Sequence, residues 1–111
     1  NFIPIPLEIQ KAELENGVFN IKKNERIQAS AIVEIIKELI SKLNSKDIAL
    51  CYPGLKSRSG IILMANGPRI PDLIDQIPEL ETIYHDSECC LLGEINSIVG
   101  RIKHSKNTIY I

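Results

Sequence analysis

Tryptophan is absent from this 111-residue chain, and aromatic side chains make up only 5% of it. So few rings exclude the stacking platforms that hold single-stranded nucleic acids, and an aliphatic core of Ile and Leu is expected instead. Neither sign of charge is in excess. Thirteen Lys and Arg stand against 14 Asp and Glu, a formal net charge of −1. That balance gives no electrostatic basis for a nucleic-acid or anionic-membrane partner. No apolar run approaches the ~18 residues needed to cross a bilayer. The opening residues 1–6 have neither a charged n-region nor an apolar h-region, so no signal peptide is expected. Cysteine is scarce too: Cys51, Cys89 and Cys90 are an odd set without metal-ligand spacing. Adjacent cysteines rarely bridge each other, so the expectation is free thiols, no bound metal or other cofactor, and a reducing, cytoplasmic setting.

Apolar residues at 44% and charged residues at 24% are close to a globular average. The length suits one domain with a single core that needs no covalent staple. Pro4 and Pro6 forbid a central strand, and Asn16-Gly17 is a turn signal followed by alternation in 18–21. These features predict an extended arm over about 1–15, or a β-hairpin. Ile32, Ile35, Ile36, Leu39, Ile40 and Leu43 then fall on one helical stripe, with Glu34, Lys37, Glu38 and Lys42 opposite. A helix over 25–43 follows, with Asn24 as its candidate N-cap and Asn44-Ser45 as its end. Residues 48–52 and 61–65 read as buried strands joined by a loop over 53–60. Pro71 opens a short helix to 77, and 81–84 is a short strand. A second amphipathic helix over 87–102, capped by Asp86 or Ser87, carries Leu91, Leu92, Ile95, Ile98, Val99 and Ile102 on one side. Residues 108–111 close the chain as a strand. The predicted architecture is α+β, a small mixed or antiparallel sheet packed against two amphipathic helices; a parallel α/β arrangement is the alternative.

Four features carry candidate chemistry. In the helix over 87–102, Gly93, Asn96 and Gly100 form a low stripe where another backbone can approach, although each glycine costs about 1 kcal/mol in a helix interior. Glu94, Ser97 and Arg101 make a polar stripe beside it. The ordinary reading is close packing next to a solvated face; the sharper one is a binding surface centred on Glu94. The loop over 53–60 offers Lys56, Ser57 and Arg58 as anion-binding candidates, but a strand follows it, so it is no Walker A loop. A solvated connection whose glycines serve the turn is the alternative. Cys89-Cys90 sits at a helix N-terminus, where thiolates are favoured, yet a structural thiol facing the core is the simpler reading. His85 is flanked by Glu81, Asp86 and Glu88, and an exposed acidic linker is expected there rather than a metal site.

Leu92-Gly93-Glu94-Ile95 followed by Val99-Gly100 resembles the helix signature of the CheC/CheX-type chemotaxis phosphatases, and the order of elements over about 48–103 is similar. In that family a Glu, and an Asn three residues later, position water to hydrolyse the aspartyl phosphate of a response regulator. The resemblance therefore implies Glu94 as the catalytic carboxylate. The Asn position holds Ser97, with Asn96 one place early, and Cys90 stands where an Asp or Ser is expected. At the other end, Ile3-Pro4-Ile5-Pro6, then 17–21 and Ile27, resemble the opening of the non-catalytic N-terminal domain of β-hexosaminidases. From the residues themselves we expect a small regulatory or protein-binding module acting through the 87–102 helix, with a protein partner or a second copy as its ligand.

Overall fold

The densest aliphatic spacing produces the longest element, α2 (Lys23–Lys42). Glu25 in its first turn and Lys42 in its last complement the helix dipole. The buried line is not the one that the aliphatic stripe marks. Glu25, Ala29 and Val33 face inward, Ile32, Ile36 and Ile40 pack partly buried beside them, and Ile35, Leu39 and Leu43 stay about half exposed. The helix is turned toward Glu25 because that carboxylate is held by Arg69 (below), a contact that hydrophobic periodicity does not register. The structure, a computed structural model, describes residues 2–44 and 46–97.

The predicted strands form two small sheets. β1 (Ile48–Tyr52) pairs in parallel with β4 (Leu80–His85), placing Leu50 opposite Ile83, Cys51 opposite Tyr84 and Tyr52 opposite His85. A parallel pair needs a long crossover, and here it contains β2 (Leu55–Lys56), β3 (Ile61–Leu63) and α3 (Leu73–Gln76). β2 and β3 are antiparallel, and Ile61 exchanges both main-chain hydrogen bonds with Ile70, at 2.8 and 2.9 Å. The fold is thus α+β, with one parallel and one antiparallel strand pair. The core is aliphatic as expected: Val33, Ile61, Ile70, Leu73, Ile77, Leu80 and Ile83 are buried together. Each such side chain contributes roughly 1.5–3 kcal/mol of transfer free energy.

Two glycines in the crossover are required by geometry. A Cβ on Gly60 would lie 2.0 Å from the Ile70 carbonyl oxygen, and Gly54, at φ 102°, would put one 2.4 Å from that of Leu63. Only a residue without a side chain lets these backbones meet.

The N-terminal region differs from the predicted hairpin or arm. Residues 7–16 form a helix, α1 (Leu7–Asn16), and the Asn16-Gly17 signal ends it instead of turning a hairpin. Gly17 takes the left-handed conformation (φ 68°), its N–H donates to the Leu14 carbonyl and Val18 N–H donates to that of Glu13. A glycine at positive φ serves a hairpin turn and a helix C-terminus equally well. Pro4 and Pro6 precede the first turn, where proline costs nothing.

Several predicted features lie outside the described residues: Asn1, Ser45, the helix beyond Ser97 with Ile98, Val99, Gly100, Arg101 and Ile102, and the strand over 108–111.

Candidate functional site

The deepest polar contacts lie where α1, α2 and the chain before α3 meet. Arg69, fully buried, donates from Nε to Glu25 Oε1 at 2.8 Å and from Nη2 to Glu25 Oε2 at 3.0 Å, a two-pronged pairing. Its main-chain N–H also donates to Glu25 Oε1, at 3.0 Å, and Nη1 pairs with Glu13. Burial alone would raise the Glu25 pKa, but the hydrogen bonds and charge of Arg69 outweigh it and hold the carboxyl below the usual range. Three residues before Glu13, the Gln10 amide pairs both polar groups of the Met64 main chain. Nε2 donates to the Met64 carbonyl at 2.7 Å, and Oε1 accepts from its N–H at 2.8 Å. No single-sequence signal marks this cluster, because its members are separated widely along the chain and α1 turns a polar face inward. A cleft of about 430 Å³ borders it, lined by Arg26, Ser30, Arg69, Asp72 and Gln76 among others. Arg26 donates to the Ile21 carbonyl and Gln76 to Asp72, so much of the polar lining is paired internally. We assign the cluster to the fold.

The predicted surface lies on α4 (Asp86–Asn96). His85 caps it, one residue before the expected Asp86 or Ser87: imidazole Nδ1 accepts from Ser87 N–H at 3.1 Å, and Glu88 Oε2 accepts from His85 N–H at 2.9 Å. This is a capping box with a ring nitrogen in place of the hydroxyl oxygen. Asp86 Oδ1 lies 2.8 Å from the same Nδ1. His85 and Glu81 thus belong to β4 and not to a linker. Among the described residues, no group of three His, Cys, Asp or Glu side chains is arranged to hold a metal ion.

Along α4 the aliphatic stripe is not buried as periodicity predicts. Leu92 is 50% and Ile95 42% exposed. Between them Gly93 is exposed, and a Cβ built on it would meet nothing within 4 Å, so the glycine serves no packing among the described residues. Glu94 is half-buried. Asn96 donates from Nδ2 to the Leu92 carbonyl at 2.7 Å, and Ser97 ends the helix with extended backbone (ψ 141°), its N–H on the Gly93 carbonyl. The Asn96 amide is thus turned onto its own helix, and the helix ends at the position three residues after Glu94. Gly100 and Arg101 lie outside the described residues.

The anion candidates come together at the turn over 53–60, where Lys56 and Ser57 are otherwise engaged. Lys56 Nζ donates to the Ile83 carbonyl at 2.7 Å, lies 3.7 Å from Glu88 Oε2 and sits over the Tyr84 ring. Ser57 Oγ accepts from the N–H groups of Ser59 and Gly60, which holds the turn. Arg58 is exposed on a cleft of about 420 Å³ that Lys56, Ser57 and Glu81 also line. Cys51 and Cys90 are exposed and Cys89 is half-buried, so neither vicinal thiol is the core residue that the sequence suggests. Comparison of the chain with protein-family models, with curated proteins and with solved structures returns no match.

Proposed function

We propose that this chain is a small protein-binding module of regulatory type whose contact surface is α4. One observation carries the reading: Leu92 and Ile95, half exposed, flank a helix-interior glycine that no other described residue covers. An interior glycine that packs against none of the described residues costs helix stability without return from them. Opposite a partner it allows close backbone approach, and the two aliphatic side chains supply the apolar area. A second copy of the same chain fits this face best, since a low aliphatic strip is complementary to itself across a two-fold axis. The reading requires no reaction and no cofactor.

Light scattering across a concentration series tests it. The wild type is expected to exceed the monomer mass as concentration rises, and Leu92→Glu with Ile95→Glu to return it to monomer with an unchanged circular dichroism spectrum. A wild type with the variant's mass at every concentration overturns the proposal.

A further inference from the structure

Beside the buried Glu25–Arg69 pair, the cleft of about 430 Å³ between α2 and α3 holds polar groups that the fold leaves unused. Its volume falls in the ~300–1,000 Å³ range of small-molecule sites. Arg69 is not among those groups, since Glu25 and Glu13 hold it through all three guanidinium nitrogens. Arg26 and Ser30 stand one turn apart on α2, and both are exposed. Arg26 donates from Nε to the Ile21 carbonyl at 3.2 Å, and its two terminal nitrogens have no partner among the described residues. The Ser30 hydroxyl has none either.

Asp72 and Gln76 line the other side, again one turn apart. Gln76 Nε2 donates to Asp72 Oδ1 at 2.8 Å. That bond turns the donor end of the amide toward the carboxylate and leaves Gln76 Oε1 and Asp72 Oδ2, which only accept. One side of the cleft thus offers donors and a positive charge, and the other offers acceptors and a negative charge. Although opposite in sign, Arg26 and Asp72 form no ion pair with each other or with any other described residue. A gap between opposite charges that do not close on each other is complementary to a molecule carrying both. Ile21, Ala29 and Pro71 add apolar lining that suits a short aliphatic chain.

We propose that this cleft binds a small zwitterion, a free α-amino acid with a compact aliphatic side chain. The ligand carboxylate accepts from the terminal nitrogens of Arg26, in the fork geometry of a guanidinium, and from the Ser30 hydroxyl. The ligand ammonium donates to Asp72 Oδ2 and Gln76 Oε1. Arg26 and Asp72 are exposed, so solvent screens both contacts and the dissociation constant is on the order of 1 mM. No residue of α4 lines the cleft, so the inference is separate from the association surface.

The test is titration of the isotope-labelled chain with L-valine, followed through amide NMR shifts. Saturable shifts are expected at residues 21–30 and 69–76, the two sides of the cleft. Isovalerate lacks the amino group and isobutylamine lacks the carboxylate. Each should bind about five- to tenfold more weakly than valine, and Arg26→Gln and Asp72→Asn should weaken valine by a similar factor. Both positions are exposed, and Asn keeps an acceptor for Gln76, so the fold should persist, which circular dichroism checks. Ser30→Ala, which favours the helix, should also weaken valine and stands in should Arg26→Gln fail to fold. Leu92→Glu with Ile95→Glu should bind valine as the wild type does, so loss of association and loss of the ligand site are distinguishable. No saturable shift up to about 50 mM valine, shifts confined to other residues, equal binding of either one-charged analogue, or folded variants that bind valine as tightly as the wild type would each overturn the proposal.

Discussion

Replacing Glu25 by Gln keeps the shape of the side chain and removes the charge that Arg69 is paired with. The guanidinium then keeps Glu13 as its anionic partner but loses the two-pronged pairing to Glu25, in a site where Arg69 has no exposed surface. Breaking a buried pair from one side costs about 3–5 kcal/mol, mostly through the charge left behind. A domain of this length has a total stability of roughly 6–16 kcal/mol at the usual ~0.05–0.15 kcal/mol per residue. The loss is therefore roughly a fifth of the total or more. At roughly 4 °C per kcal/mol the midpoint of thermal unfolding should fall by about 12–20 °C. The pH dependence has a definite sign. Since Arg69 holds the folded Glu25 carboxyl below its ordinary pKa, against the opposing effect of burial, its contribution is complete above the unfolded-chain value of ~4.3. It is lost as pH falls through the lower, folded value. Urea unfolding followed by circular dichroism should show the gap between wild type and Glu25→Gln widest near neutrality and closing in acid. A single variant within about 1 kcal/mol of wild type, or a gap that stays constant down the acid limb, would refute the reasoning.

Other variants probe separate links. Gln10→Leu should cost about 2–4 kcal/mol in the same urea assay, since it strips partners from a buried N–H and a buried C=O of Met64. Gly60→Ala, forced toward the Ile70 carbonyl oxygen, should cost about 1–3 kcal/mol, whereas the same change at an open glycine would not. Gly93 is that open case: Gly93→Ala should raise stability by about 0.5–1 kcal/mol. Gly93→Leu should leave the fold intact and lower the association constant measured by light scattering.

Most of the architecture could be read from residue spacing, because strands 48–52 and 61–63 and helix α2 are built from Ile and Leu at regular intervals. The rotation of α2 could not. It depends on Glu25 meeting Arg69, and hydrophobic periodicity has no term for a long-range ion pair. The α1 helix was illegible for a related reason: its inward residues, Gln10 and Glu13, are polar, so nothing in the pattern marks a buried face. Gly17 compounded this, since one positive-φ residue closes either a hairpin or a helix. At the candidate site, spacing located Gly93 and Glu94 on a helix but assigned Leu92 and Ile95 to the core. Amphipathicity identifies an apolar face without saying whether this chain or another covers it.

The pairing of Gln10 with Met64 makes one main-chain amide a local reporter. Met64 lies one residue beyond β3, and its N–H is covered by the side chain of an N-terminal helix instead of a neighbouring strand. Its exchange with solvent deuterium should therefore follow the undocking of α1 and not the opening of the sheet. Comparing its rate with that of Ile61, which is bonded to Ile70, would separate the free energy of releasing the first helix from that of unfolding the whole domain.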